Sequence, residues 1–231
     1  MKKNHLSFSG MLFLLLTAVI SLPSRNAEGF VRFTDSEGYE INFVHIVDQF
    51  WMRDNLNVKK YRNGDKIRHA KTTEEWLDAA AKGEGAWCHV NNDPANEDAN
   101  GLIYNWYAVN DPRGLAPEGW HVATLKDLKT LGTSLGGVPV SNKDLSSPEA
   151  TEWRYQHSGV ERSIYFKAVP AGLRVPSNGS FRLFGEKAVL WASTEHSSKE
   201  AWSATLDFPG SIITIDAKGE QAGASVRCLK D

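Results

Sequence analysis

The part of the sequence that most constrains the fold is residues 173–229, where the pattern is typical of successive β-strands. Residues 201–208 alternate between apolar and polar side chains, which is the period of a strand with one buried face. A Pro-Gly turn leads from this strand to another at 211–215, and a further strand is predicted at 224–229. Because short turns join these strands, the sequence predicts an antiparallel β-meander in the second half of the chain.

Two capping boxes predict helices in the first half of the chain. The motif Thr72-x-x-Glu75 predicts a helix that runs to Ala81, and Thr124-x-x-Asp127 predicts a second one. In this motif the first side chain accepts a hydrogen bond from a free helical N–H, and the acidic side chain accepts one in return. Both helices are predicted to be short.

The remaining segments predict a hairpin and long loops. Apolar runs at 30–33 and 39–47 flank a turn, which is typical of a β-hairpin. Irregular stretches are expected at 91–100 and 132–163, and no linker or repeat divides the chain. We therefore predict a single α+β domain with two short helices, an antiparallel β-meander and long irregular loops.

The N-terminal segment is typical of a secretory signal peptide. Lys2 and Lys3 precede an apolar run at 11–22, which is shorter than the ~20 residues that a membrane-spanning helix needs. We predict a signal peptide over residues 1–28 and a mature domain over 29–231; the alternative is an uncleaved N-terminal anchor. We expect an exported protein, periplasmic, cell-surface or extracellular, with no membrane insertion after signal cleavage.

Composition and charge exclude several classes of protein. The 231 residues include 26 Lys and Arg against 28 Asp and Glu, which gives a net charge of -2. No basic excess attracts nucleic acid, so no nucleic-acid partner is expected. With 41% hydrophobic and 23% charged residues, the chain has the composition of a globular protein. The unusual feature is the presence of eight Trp.

Seven sequence blocks occur in an order that resembles one protein family. The first contains Trp-Met-Arg-Asp-Asn at 51–55, and the last contains Ser-Val-Arg-Cys at 225–228. The complete set is 49–58, 61–65, 85–93, 101–110, 119–123, 190–195 and 225–231. Together the blocks resemble the Fibrobacter succinogenes major paralogous domain family, which is found in exported proteins of Bacteroidetes and Fibrobacteres.

Two of these regions also carry a more distant resemblance. The stretches 120–131 and 226–228 are similar to the formylglycine-generating-enzyme branch of the C-type-lectin-like fold. This resemblance implies a single C-type-lectin-like domain, although a fold does not determine a function. Enzymes of that branch bind copper through a pair of active-site cysteines, and Cys88 and Cys228 do not have the close spacing expected for such a pair.

The two cysteines of the mature domain leave two alternatives open. In an oxidising compartment Cys88 and Cys228 can form a disulfide, and closing so long a loop stabilises by ~5 kcal/mol on the chain-entropy model. Otherwise they are separate buried thiols. Many members of the family carry a Cys just before the Pro-x-Gly-Trp-His block, where this chain has Leu115 and Ala116. If that missing Cys is the usual partner, the resemblance implies a lone thiol at Cys228.

No motif in the sequence assigns catalytic residues. Nucleophile elbows, phosphate-binding loops, dinucleotide fingerprints and closely spaced zinc ligands do not occur in it. Glu195 is the best single acid, but a glycosidase needs a second carboxylate ~5–9.5 Å away, and no pattern points to one. We predict no catalytic residue, and no cofactor beyond a structural calcium ion.

An oxygen-rich loop is the candidate for that ion. Residues 96–101 resemble the first half of an EF-hand loop, but the twelfth position is Tyr107 instead of a bidentate Glu. Oxygens from four residues of this region are candidate Ca²⁺ ligands for a weak extracellular site. They are Asn91, Asp93, Asp98 and Asn100. The alternative is a solvated turn loop without a metal.

Aromatic side chains are the candidates for ligand binding, because Trp and Tyr rings stack on sugars while their polar edges bind hydroxyls. The predicted ligand-binding set combines such rings with nearby polar residues. It comprises Trp87, Asn105, Trp106, Tyr107, Trp153, Trp191 and Glu195. The alternative for each is core packing, and Trp153 is expected to be the most exposed.

The sequence thus favours an exported, non-catalytic binding module that contacts a glycan or a cell-surface protein through a loop-rich face. One alternative is a structural or adhesive surface component that acts through protein–protein contacts. Another is a divergent enzyme, either of the formylglycine-generating type or a hydrolase. Two carboxylates that face each other in a cleft would favour the enzyme.

Overall fold

The computed structural model describes residues 31–34, 40–46, 48–134, 153–155, 164–166, 168–207 and 213–231. The predicted signal peptide over 1–28 lies outside these residues, so that prediction is untested by the structure. Within the described residues, most of the regular structure is β-strand, and the helices are few and short. The domain is therefore α+β, as predicted.

The elements are numbered in chain order. The strands are β1 Val31–Thr34, β2 Glu40–Ile46, β3 Gln49–Met52, β4 Arg68–His69, β5 Ala86–His89, β6 Leu102–Asn105, β7 Trp120–Val122, β8 Trp153–Tyr155, β9 Ile164–Phe166, β10 Leu173–Arg174, β11 Phe181–Arg182, β12 Lys187–Ser197, β13 Glu200–Asp207, β14 Ile213–Gly219, β15 Gly223–Ala224 and β16 Cys228–Lys230. The helices are α1 Thr73–Ala81, α2 Glu97–Asn100, α3 Trp106–Val109 and α4 Leu125–Ser134, with 3₁₀ turns at Val90–Asn92 and Pro94–Asn96. No helix in this part of the chain has the length and apolar character needed to cross a membrane.

The strands form four sheets. One has the order β1-β2-β3-β16-β7, a second β11-β10-β15-β6-β5-β4, a third β12-β13-β14, and a small one β8-β9. Only the β4–β5 pair is parallel among the paired strands of the described chain. The third sheet is the meander that the sequence predicts for the second half.

Both capping boxes form as predicted. Thr72 Oγ1 accepts a hydrogen bond from Glu75 N at 3.2 Å, and a Glu75 carboxylate oxygen accepts one from Thr72 N at 3.3 Å. At α4, Asp127 accepts a hydrogen bond from Thr124 N at 2.9 Å, and Thr124 Oγ1 accepts one from Asp127 N at 3.2 Å. These bonds satisfy N–H groups that a helix start leaves free.

The prediction that the strand at 201–208 has one exposed face is wrong. β13 lies between β12 and β14, so it is an interior strand. Ala204 and Leu206 are buried on one side, and Ser203 and Thr205 are buried on the other. Small polar side chains fit into a covered face when they find partners, as Ser203 does with Asp216 at 2.8 Å.

The strand predicted at 224–229 is divided between sheets. β15 pairs with β10 and β6 in the six-stranded sheet, and β16 pairs with β3 and β7 in the five-stranded sheet. Between them, Ser225 forms a parallel bridge with Leu190 of β12. Residues 223–230 therefore contact all three large sheets.

The apolar core lies on both faces of the five-stranded sheet. On one face, Phe43 and Met52 pack in a cluster with Tyr104 and Trp191 of the neighbouring sheets. Val44, which follows Phe43 in β2, points to the opposite face of the sheet. It packs there in a second cluster that includes Leu128 of α4. Thus α4 packs against one side of this sheet, and strand β12 of the meander contributes side chains to both clusters.

Arg227 connects the C-terminal segment of the chain to residues 52–55 by hydrogen bonds. It is fully buried and donates to Met52 O at 2.8 Å, to Arg53 O, and to Asn55 Oδ1 at 2.9 and 3.3 Å. Asn55 in turn donates to Ser225 Oγ at 3.2 Å. Burial lowers the pKa of the Arg227 guanidinium to about 10, so it still carries its charge at neutral pH. The first and last sequence blocks meet here.

Candidate functional site

Two of the predicted ligand-binding tryptophans form part of the core. Trp106 Nε1 donates to Ala192 O and Trp191 Nε1 donates to Tyr104 O, both at 2.9 Å. Each indole therefore bonds to a backbone carbonyl beside the other indole. Trp106 is 3% exposed and Trp191 is 0% exposed, so neither ring offers a face to a ligand.

Asn105 likewise holds the backbone. Its Oδ1 accepts from Ala86 N at 2.9 Å and from Ala108 N at 3.1 Å, and its Nδ2 donates to Glu84 O at 2.8 Å. The side chain thereby caps α3 and joins this helix to β5. With its oxygen and nitrogen engaged and no exposed surface, Asn105 acts as a structural residue.

Trp87 is also buried, and another aromatic ring covers one of its faces. Its ring stacks on His69 with centroids 3.7 Å apart and planes 9° apart, and its Nε1 donates to Ile67 O at 3.2 Å. Lys59 Nζ lies 5.4 Å from the ring centroid. This packing leaves little of the indole for stacking on a sugar.

Trp153 lies in the two-stranded sheet, where its backbone pairs with Phe166. The exposure of its side chain lies outside what the structure describes, so the expected exposed ring stays a prediction. Most of the predicted loop 132–163 also falls outside the described residues, although α4 extends to Ser134.

The last two members of the predicted set, Tyr107 and Glu195, each interact electrostatically with Glu220. Glu195 follows a register shift in β12, and such an irregularity re-aims a side chain. The turn after β14 lies beside both elements. Glu220 N donates to Lys199 O and Glu220 O accepts from Trp106 N, each at 3.0 Å. This turn thus joins α3 to the β12–β13 hairpin.

Glu220 was not identified from the sequence, and it is the most unusual residue of this junction. The residue is only 8% exposed, and its carboxylate, which keeps some contact with solvent, has no hydrogen-bond or ion-pair partner within the described residues. Burial raises the pKa of its carboxyl group, and the nearby carboxylate of Glu195 raises it further. Partial desolvation of a carboxylate without a donor is energetically unfavourable.

Tyr107 completes the arrangement. Burial raises the pKa of its hydroxyl and the charge of Glu220 raises it further, whereas the Gln221 side chain lowers it by hydrogen bonding. We name the group Tyr107, Glu195, Glu220 and Gln221 the glutamate-pair site. It offers two carboxylates, one phenol and one amide, and it can accept hydrogen bonds from a polar or cationic ligand.

No local signal reveals Glu220. The sequence Gly-Glu-Gln-Ala-Gly at 219–223 indicates a turn, and charged residues in turns are ordinary. Its burial arises only because the β12–β13 hairpin and α3 close over it, and both elements are distant in sequence.

The oxygen-rich loop forms 3₁₀ turns and α2 instead of an irregular stretch. Asp93 accepts from Ala95 N at 3.0 Å, and Asn100 is buried, with its amide donating to Asn96 O at 3.1 Å. Asn91 and Asp98 are exposed. Among the described residues, no group of three or more His, Cys, Asp or Glu side chains is placed to hold a metal. The calcium site stays a prediction.

The two cysteines are free thiols, so the disulfide alternative is not realised. Cys88 lies in β5 of the six-stranded sheet, and Cys228 lies in β16 of the five-stranded sheet. The two residues pack in different apolar clusters, and their sulfurs do not bond to each other. Burial raises the pKa of the Cys88 thiol to about 11, and it also raises that of Cys228.

Comparison with known proteins gives one match. A family model described as the Fibrobacter succinogenes major domain matches residues 44–230, which is most of the chain. No curated protein and no solved structure matches the chain. The matched range includes every residue of the glutamate-pair site.

Proposed function

Since the chain belongs to the Fibrobacter succinogenes major domain family, whose description states no activity, we propose its function from the geometry of the site. The chain is an exported, non-catalytic module that binds a glycan at the glutamate-pair site. The observation that supports this proposal is Glu220, a residue only 8% exposed whose carboxylate reaches solvent and has no partner among the described residues. Export follows from the predicted signal peptide over 1–28.

A glycan fits the chemistry of these four side chains. Sugar hydroxyls donate hydrogen bonds to carboxylates, and the Gln221 amide and Tyr107 hydroxyl both donate and accept. The half-buried Tyr107 ring adds an apolar surface for the C–H groups of a sugar. A donor from the ligand offsets the desolvation of Glu220, which no described residue of the chain offsets.

A hydrolase is the second candidate, because the site holds two neighbouring carboxylates. Burial and Glu195 raise the pKa of Glu220, which suits a general acid, while Glu195 is exposed. A glycosidase would need both groups to flank the scissile bond. The non-catalytic module is favoured because Glu220 lies in the turn that joins α3 to the β12–β13 hairpin, where its backbone N–H and C=O both support the fold.

We also propose a C-type-lectin-like architecture for the α+β domain. The two stretches that resemble this fold, 120–131 and 226–228, are brought together by the β7–β16 pairing of Cys228 with Val122. An experimental structure compared with C-type-lectin-like domains tests this assignment.

The function is tested on a glycan array with the purified protein. The matched variants are Glu220→Gln and Glu195→Gln, with the exposed Glu186→Gln as control. We expect binding by the parent and the control, and at least a tenfold loss in both site variants. A silent array, or binding that survives both substitutions, contradicts the proposal and favours protein–protein adhesion.

Two further arms separate the alternatives. Loss of binding in EDTA alone would locate the ligand at the predicted calcium loop, and loss in Trp153→Ala alone would locate it at β8. Incubation of any bound glycan with the protein, followed by measurement of new reducing ends, tests the hydrolase. Cleavage that disappears in Glu220→Gln would replace the binding module by an enzyme.

A further inference from the structure

We propose that strand β14 pairs with the β14 strand of a second copy of the chain, so that two meanders join into one continuous antiparallel sheet. This contact goes beyond the proposed function, because it is a protein interface and needs no glycan. An edge strand presents N–H and C=O groups that a strand of another chain can bind. The second copy is the partner that the backbone and the charges of β14 fit.

The two edges of the meander sheet differ. At one edge, β12 is covered by the rest of the chain, since Trp191 N donates to Ser225 O at 3.0 Å and Ser193 N donates to Ala123 O at 2.9 Å. At the other edge, β14 has seven residues, and its only neighbouring strand in the described chain is β13. The edge strands of the two larger sheets have only two to four residues. A long open edge is therefore the exception among the described residues.

The backbone of β14 has polar groups that point away from β13. Glu220 N donates to Lys199 O at 3.0 Å, and these two residues continue the register of β13 with β14. In an antiparallel pair, opposite residues alternate between hydrogen-bonded and non-hydrogen-bonded pairs. Counted back from Glu220, the N–H and C=O groups of Ile215 and Ala217 point outward. No residue of the described chain forms a hydrogen bond with them.

The charges of β14 are complementary to those of a second copy in one register. Asp216 and Lys218 lie on one face of the strand, with Asp216 Oδ2 2.7 Å from Lys218 Nζ. A two-fold axis beside Ala217 sets Asp216 of each copy opposite Lys218 of the other, and it brings the outward backbone groups into hydrogen-bonded pairs. An axis beside Asp216 or Lys218 instead sets like charges opposite each other, which is unfavourable. The register centred on Ala217 is therefore favoured.

The side chains of β14 also permit this approach. A lysine on an edge strand commonly prevents pairing with other chains, but here the acid two residues before it turns repulsion into attraction in one register. Ala217 and Gly219 are small, so they leave room for a neighbouring strand. On the opposite face, Ile213 and Ile215 are only partly buried, and a second strand would cover more of them.

Sedimentation equilibrium of the purified protein at increasing concentration tests this proposal. We expect a dimer whose affinity falls by roughly tenfold or more in Asp216→Lys and in Lys218→Asp, since symmetry makes each substitution act twice. An equimolar mixture of these two variants should regain the dimer, because each copy then meets the opposite charge. The exposed Lys71→Asp, which lies outside β14, is the control and should dimerise like the parent.

A further variant separates the interface from the fold, since Asp216 also accepts a hydrogen bond from Ser203 Oγ at 2.8 Å. Ala217→Pro removes only an outward N–H, at a position where edge strands tolerate proline. It should unfold at nearly the parent temperature and yet remain monomeric. A parent that is monomeric at every concentration would overturn the proposal. So would a dimer that survives Ala217→Pro, or a mixture of the two charge variants that stays monomeric.

Discussion

Arg227 and Glu220 are two buried charges only a few residues apart in sequence, and their surroundings are opposite. Arg227 donates to two backbone carbonyls and to Asn55, and its guanidinium carbon lies 4.3 Å from the centroid of the Phe166 ring. Glu220 is 8% exposed, its carboxylate keeps contact with solvent, and it has no donor within the described residues. The described chain thus supplies hydrogen-bond partners to the Arg227 side chain and none to the Glu220 side chain.

On our proposal, the difference separates a charge that supports the fold from a charge that binds a ligand. A buried charge surrounded by acceptors or donors fixes the relative positions of the segments that supply them. A buried charge without partners lowers stability and is retained more readily where a ligand completes it. We therefore expect a substitution at Arg227 to lower the free energy of unfolding and a substitution at Glu220 to raise it.

The largest effect is expected at Arg227. Arg227→Met keeps much of the volume but leaves Asn55 Oδ1 and the carbonyls of Met52 and Arg53 without their donor. We expect a loss of about 3–5 kcal/mol in the free energy of unfolding. Urea denaturation measures it, with the exposed Arg182→Met as control. A loss equal to that of the control would contradict the structural role of Arg227.

A smaller loss is expected at Asn55. Asn55→Ala removes one acceptor of Arg227 and the donor to Asn100 O, but Arg227 keeps its bonds to the two carbonyls. We expect a loss of about 2 kcal/mol in the free energy of unfolding. The exposed Asn110→Ala serves as control in the same urea titration. Combining Asn55→Ala with Arg227→Met should cost less than the sum of the two, since they remove the same bonds.

The smallest effect, of opposite sign, is expected at Glu220. Because its folded pKa is raised above the ordinary 4.5, its contribution to stability is fully present below the unfolded pKa. That contribution is lost as the pH rises through the folded pKa. Glu220→Gln should therefore stabilise the protein at neutral pH by roughly 1 kcal/mol or less, and the difference should vanish in acid.

Thermal unfolding across pH 3–8 measures this difference, with Glu186→Gln as the reference. Destabilisation by Glu220→Gln at every pH would mean that the carboxylate supports the fold. In that case the contrast with Arg227 would no longer hold.

The sequence predicted the parts of this fold that depend on short-range chemistry. Both capping boxes formed because their partners lie three residues apart, and the meander follows from successive strands and turns. The buried polar face of β13 was missed because an alternating pattern separates polar from apolar residues but does not show which faces are covered. Ser203 is polar, yet it is small enough to be buried. The division of 224–229 between two sheets has no local signature.

The site was predicted only in part, for the same reason. Tyr107 and Glu195 were selected for their chemistry, but Glu220 becomes unusual only after α3 and the hairpin enclose it. Conversely, Trp106 and Trp191 have the chemistry of a sugar platform and were binding candidates, with core packing as the alternative for each. Their bonds to Ala192 O and Tyr104 O connect segments far apart in the chain, and no spacing rule reveals such a pair.

The placement of residues 223–230 has a consequence for how the molecule reaches its native state. β15 lies between β10 and β6, and β16 lies between β3 and β7, so each is an interior strand of its sheet. Until these residues join, both sheets consist of two separate parts with open edges that attract other chains. Their pairings span most of the sequence, and such non-local contacts make folding slow. We therefore expect the protein to be most prone to aggregation in the interval before this closing step.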